Sequence, residues 1–249
     1  MVRLQRILKP VELTDELVDE LTERFRNTGD SVWNKPFIKQ ALLRMSHGKC
    51  CYCECRLVEE SKYMEVEHYF PKSIFPHLVV IWLNLFAACK RCNVHKLDHD
   101  PSVEPLIHPV DDNPKAHLTL KSYRFYAKTE KGRTTIDVID LNHRKQLVQK
   151  RFEIGVKMIE ELDELEILAT SIFRQPAFTM REQRRVVSSL RKKMEMGLPT
   201  EIYSATIANC ILTEPSYAVV KNLLIQHNLW DIGFQDLENK LMLVAFDNA

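Results

Sequence analysis

Glycine is scarce in this chain, at 6 residues in 249, and no low-complexity tract accompanies it. Long disordered linkers are therefore excluded. Long apolar runs are missing too: no window approaches the ~20 uninterrupted apolar residues that a membrane span needs. Met1 to Pro10 carries Arg3, Arg6 and Lys9 with no apolar stretch after them, so no signal peptide is expected and the cytoplasm is the expected location. Charge of one sign is absent as well, with 35 Lys and Arg against 34 Asp and Glu. Freestanding nucleic-acid binders are usually clearly basic, because counterion release supplies most of their non-specific affinity. A neutral chain acting on nucleic acid would need a local basic surface or delivery by a partner. No internal repeat is present.

Cysteine is present and unevenly placed. Six of the 7 thiols fall between Cys50 and Cys92, a distribution unlike the spread of a secreted disulfide scaffold. Cys50-x-x-Cys53 and Cys89-x-x-Cys92 form two CxxC pairs, the spacing that closes a four-thiolate site around zinc. Such a site has no open position, so this zinc is expected to be structural. Cys51, Cys55 and Cys210 are left as spare, inert thiols.

Between and just after the pairs stand the residues that can carry chemistry. A histidine beside a carboxylate, followed by two asparagines, suits a hard, water-retaining cation such as Mg2+ or Mn2+ better than a second zinc. His68 can serve as a general base, since imidazole titrates near neutrality. Glu67 can offer a carboxylate to the cation and Asn93 an amide oxygen. His95 can replace or supplement Asn93, and Glu65 is a rival carboxylate. Lys96 is placed to contact a substrate phosphate. Hydrolysis of a phosphodiester is the chemistry such a set performs.

The segment resembles the HNH nuclease superfamily in its zinc-stabilised form. The motif is carried by Glu67-His68, by Asn84 in NLFAACKRCN, by Asn93 after the last thiol and by Lys96 in NVHK. The resemblance implies His68 as general base, Asn84 as the residue fixing the loop that orients it, and Glu67 with Asn93 on the divalent metal. Glu67 departs from the commoner Asp of the family. The blocks EVEHYFPKS, WLNLFAACKRCN and PLIHPVDDNPKAHL, with IDLN after them, resemble the HNH subunit of Septu anti-phage defence systems, also found with some retrons. That resemblance covers about residues 35–165. It implies an ABC/SMC-like ATPase partner of the PtuA type in a hetero-oligomeric complex, with DNA favoured over RNA or tRNA as substrate. The alternative reading is a catalytically inactive zinc-ribbon binding or adaptor subunit.

Periodicity and turn residues set the expected architecture: α+β, mainly α, with a ββα-metal core, a β-hairpin and a C-terminal helical bundle. Helices are expected over 11–27, with Thr14 as cap, and over 35–46, making 1–48 an N-terminal helical region. Residues 49–98 form the nuclease core, with strands over 63–68 and 83–88 and a short helix over 89–96. Residues 99–140 form a connector and a hairpin, its strands 122–127 and 134–139 turning around Glu130-Lys131-Gly132. In 141–249 a long helix runs to about Ala169, and others span 179–196, 200–211 and 215–228. The basic run Arg181, Arg184, Arg185, Arg191, Lys192 and Lys193 reads as a solvated helix face.

Overall fold

The structure is a computed structural model that describes residues 1–57 and 64–246. Tyr63, the expected start of the first strand, lies outside them. The chain divides into two units, 1–118 with 125–142, and 119–124 with 143 onward.

The first unit opens on an irregular strap. Met1, Val2 and Leu4 are buried, and Arg6 donates to the carbonyls of Trp82, Leu83 and Leu85 at 3.1, 2.9 and 3.0 Å. Helix α1 (Asp15–Thr28) starts where Thr14 Oγ1 accepts from Leu17 N and stops where Gly29, at φ 72, donates to Phe25 O. That left-handed cap position is one glycine adopts without a Cβ penalty. Helix α2 (Pro36–Met45) has proline at its first turn and buries Ile38, Ala41, Leu42 and Met45. Strands β1 (Met64–His68) and β2 (Leu85–Cys89) pair antiparallel, with Met64 opposite Cys89 and His68 opposite Leu85. The second strand begins two residues later than its apolar pattern suggests, because Trp82–Asn84 is a 3-10 turn. Helix α3 (Lys90–Lys96) follows β2 with no linker.

The connector holds one short turn, α4 (Pro114–His117). A hairpin follows, β3 (Leu118–Lys121) and β4 (Arg124–Ala127), turning through Ser122 and Tyr123 at φ 47 and 65. The unit boundary runs through this hairpin. It is not the expected one, because residues 134–139 are helical, in α5 (Glu130–Ile139). Thr129 caps that helix by accepting from Gly132 N at 3.2 Å. The buried positions Gly132, Thr135 and Ile139 recur at helical intervals along one face. Gly132 sits on α4 so tightly that a Cβ there would lie 2.1 Å from His117 O. The alternation of TTIDVI is thus overridden by an N-cap and by helix packing.

The second unit is helical: α6 (Gln149–Phe173), α7 (Met180–Glu195), α8 (Ser204–Thr213), α9 (Pro215–Gln226) and α10 (Ile232–Val244). Helix α6 buries Gly155, Met158, Leu162, Leu165, Ala169 and Ile172, a stripe at three- and four-residue steps. A capping box of Thr179 and Glu182 starts α7. Helix α10, which sequence periodicity did not announce, starts at the Asp231 cap. Beyond it, Phe246 is tied to Asn209 by two hydrogen bonds of 2.7 and 2.9 Å. Glu238 is buried against Tyr217 and Lys221. No helix among the described residues is long and apolar enough to cross a membrane.

Candidate metal centre and histidine site

The four paired thiols converge. Cys50, Cys53, Cys89 and Cys92 lie with their sulfurs all within 4.8 Å of one another, and Cys53 Sγ to Cys89 Sγ is 3.8 Å. A tetrahedron with zinc–sulfur arms of ~2.3 Å has edges of about 3.8 Å, so the donor set and its spacing fit zinc. Three local features bring them together. The 50–55 loop closes on itself through Cys50 N to Cys55 O and Glu54 N to Cys50 O. Cys51 N donates to Ala87 O, pinning that loop to β2. The direct passage from β2 into α3 then presents Cys89 and Cys92 from one turn. The spare Cys55 thiol also lies within reach of Cys50, Cys53 and Cys89. Zinc here would hold the frame together without taking part in a reaction.

His68 ends β1 and is buried, with Nε2 2.8 Å from Val79 O. A carbonyl only accepts, so Nε2 carries the hydrogen and Nδ1 keeps its lone pair. Burial pushes the imidazole pKa down to about 3, while the Val79 bond pulls the other way and Lys72 and Lys96 add to the lowering. Neutral imidazole is the form that can take a proton. Asn84 braces the loop that supplies Val79: its Oδ1 accepts from Phe70 N at 2.7 Å, and its Nδ2 donates to Phe70 O and Leu78 O at 3.0 and 3.1 Å. Both ends of the 70–78 loop are thus fixed by one amide.

Glu67 points elsewhere. Its carboxylate is buried on the α3 side, with Lys96 Nζ 3.0 Å and Tyr52 OH 3.2 Å from Oε1. Burial raises its pKa, and the ammonium of Lys96 opposes that rise. Lys96 is 2% exposed and also donates to His68 O at 2.7 Å. The expected contact of Lys96 with a substrate phosphate is therefore replaced by an internal ion pair. Asn93 donates to Glu65 Oε2 at 2.6 Å, and His95 Nε2 faces Asp140 Oδ2 at 3.8 Å. The residues expected around a second, hard cation are thus brought near β1 and α3 but engaged pairwise. Among the described residues, the four thiols form the one cluster of metal-ligating side chains. In this arrangement Glu67 could serve a hard cation only by releasing Lys96, whereas Asn93 gives Glu65 its Nδ2 and keeps its Oδ1.

Two residues near His68 escaped sequence reasoning. The Trp33 ring packs edge-on against the imidazole, with centroids 5.0 Å apart. Lys72, four residues beyond His68, places its ammonium 4.9 Å from the Trp33 centroid. It makes no ion pair among the described residues. Its signal was its place in the HYFPKS block; Trp33 comes from a distant loop and had none. Four members of the basic run of α7, Arg181, Arg184, Arg185 and Lys192, are exposed, and two have structural partners. Arg191 pairs with Asp231 and lies over Phe234, and Lys193 pairs with Glu161.

Among curated proteins, the chain is 41% identical over 237 residues to the Septu protein PtuB of Bacillus thuringiensis, spanning 95% of this chain and 92% of that one. It is 26% identical over 240 residues to the Septu protein PtuB of Bacillus mycoides strain KBAB4, spanning 76% and 81%. A third relative, the Septu protein PtuA of the same strain, is 28% identical over 171 residues, spanning 56% of this chain and 23% of that protein. No family model matches the chain.

Proposed function

The chain belongs to the Septu PtuB family, and from that premise we propose that it is the nuclease subunit of a Septu anti-phage defence complex, cleaving nucleic-acid phosphodiesters with His68 as the base. The observation that carries this reading is the state of His68. Its Nε2 is committed to a carbonyl on a loop that Asn84 holds, which leaves Nδ1 to deprotonate a water. A phosphodiester under attack develops negative charge, and Lys72 is the nearby cation without an acidic partner that can meet it. Glu67 and Lys96 act as positioning residues: through Lys96 they hold the backbone of His68 itself.

His68 is only 5% exposed and Trp33 packs against its ring, so on this reading a substrate reaches it only after Trp33 moves. The buried arrangement is then a resting form, which fits gating by a partner. The partner we propose is an ATPase of the PtuA type, and DNA is the favoured polymer. Support for the partner comes from the relative named PtuA, which carries a stretch similar to this chain.

The engaged Glu67, Asn93 and Lys96 favour one second reading, an adaptor that keeps the zinc frame and does not cut. Co-purification with the ATPase encoded beside the gene, followed by incubation with plasmid DNA and with total RNA, separates the two. Each incubation is run with and without Mg2+, for wild type and for His68→Ala. The nuclease reading expects cutting that His68→Ala abolishes. Cutting that survives His68→Ala removes His68 from its role, and an intact complex that cuts neither polymer while phage is still blocked supports the adaptor.

A further inference from the structure

The second unit carries a cavity of about 590 Å³ between the hairpin turn and the start of α6, bordered by Tyr123, Arg124, Arg144, Lys145 and Phe152. Its size is that of ordinary small-ligand sites. Several independent features build it. Ser122 and Tyr123 both occupy the left-handed region, at φ 47 and 65. A side chain as large as tyrosine is uncommon there, and such conformations persist where surrounding structure enforces them, often at functional positions. Two contacts enforce this one. Buried Arg151 donates to Tyr123 O at 3.1 Å. Gly155 admits the tyrosine ring, since a Cβ at that position would lie 2.2 Å from Tyr123 Cε1.

The opposite wall is a single π turn, Arg144–Val148, in which Val148 N reaches back to His143 O at 3.0 Å. Such turns recur at functional sites. Here it leaves Arg144 and Lys145 exposed at the cavity. Some cations elsewhere in this unit are matched with carboxylates, Arg191 with Asp231, Lys193 with Glu161 and Lys221 with Glu238, while Arg181, Arg184, Arg185 and Lys192 stand exposed along α7. Arg124, Arg144 and Lys145 have no carboxylate partner among the described residues. Glu153, next to Phe152, is taken by Lys150 and Gln149. Phe152 itself is 51% exposed and stands edge-on to Tyr123, with centroids 5.5 Å apart.

We infer that this cavity holds one nucleotide of a single-stranded nucleic acid, its phosphate on Arg124, Arg144 and Lys145 and its base on Phe152. The cations alone would take any polyanion. The aromatic face makes the choice, because a base in a duplex is already stacked on its neighbours while a base in a single strand is free to stack on a ring. The inference deepens the nuclease reading and rests on it for the substrate class. It also accounts for how a chain of net charge +1 would hold nucleic acid, since the basic surface is local.

The test is fluorescence anisotropy on the full, zinc-loaded chain carrying His68→Ala, so that no probe is cut. The probes are fluorescein-labelled 12-mers of deoxythymidylate and of uridylate, and a 12-base-pair duplex. Single strands should bind more tightly than the duplex, and Phe152→Ala should weaken them about tenfold while leaving duplex binding unchanged. Phe152→Leu, which keeps apolar bulk, should show the same loss. Arg144→Ala with Lys145→Ala should flatten the salt dependence of log affinity by about 0.7, the one phosphate's worth. Unchanged single-strand affinity in Phe152→Ala, or duplex and inorganic polyphosphate competing as well as single strands, overturns the inference. Cutting by wild type with no Phe152 effect sinks only this site. Binding that depends on Phe152 in a complex that never cuts sinks only the nuclease.

Discussion

Removing the ammonium of Lys96 tests whether the pair at the heart of the first unit is as buried as it looks. Its side chain and that of Glu67 are 1% and 2% exposed, with Nζ 3.0 Å from Oε1. Lys96→Met keeps most of the volume but leaves Glu67 charged, with Tyr52 OH as its remaining partner, and strips His68 O of its donor. Breaking a buried pair from one side costs about 3–5 kcal/mol, against about 0–1 for an exposed pair. The cost should depend on pH in a definite direction. Burial already raises the Glu67 pKa and Lys96 opposes that rise, so the variant should raise it further. A carboxyl whose folded pKa lies above its unfolded value loses stability as pH rises through that interval. The deficit should therefore be full near neutrality and shrink on acidification, and Lys96→Met with Glu67→Gln should recover most of it. Urea unfolding with excess zinc in a Trp230→Phe background reads this unit through Trp33 and Trp82. A neutral-pH loss below about 1 kcal/mol would refute the burial argument, as would a deficit that does not change between pH 7.5 and 5.

Three further outcomes follow from the same geometry. His68 is held neutral with its pKa down at about 3, so its contribution is present above the unfolded value and lost as pH falls. The stability gap between wild type and His68→Gln should narrow by about 2 kcal/mol from pH 7.5 to 5, and a gap constant with pH in urea melts contradicts it. Elemental analysis should find one zinc per chain, and Cys89→Ser or a strong chelator should remove it and unfold the region around β2 and α3; zinc-free protein with an unchanged melt rules that out. Asn84→Ala orphans Phe70 N, Phe70 O and Leu78 O and should cost about 3 kcal/mol. A denaturation midpoint like that of wild type would show that the 70–78 loop does not depend on this amide.

Much of the molecule could be read along the chain because its cause is local. Thr14, Gly29 and Thr179 mark helix ends through bonds spanning three or four residues. The cysteine pairs announce themselves by spacing. The second hairpin strand was misread because an alternating run carries no information about Thr129 acting as a cap or about the carbonyl of His117 waiting for a residue without a Cβ. Helix α10 was missed because its apolar residues, Phe234, Leu237 and Leu241, mean little until other helices of its unit cover them.

Sequence alone determined the four-cysteine cluster and the helix-rich class, since each depends on residue type and short spacing. Tertiary structure decided what each polar group around that cluster does. It paired Lys96 with Glu67 and Asn93 with Glu65, both 28 or more residues apart in the chain. It also set Trp33 against His68 and drew Arg6 across 76 positions to the Trp82 carbonyl. Ion pairs and hydrogen bonds act over a few ångströms, and a sequence records no distance between residues that folding brings together.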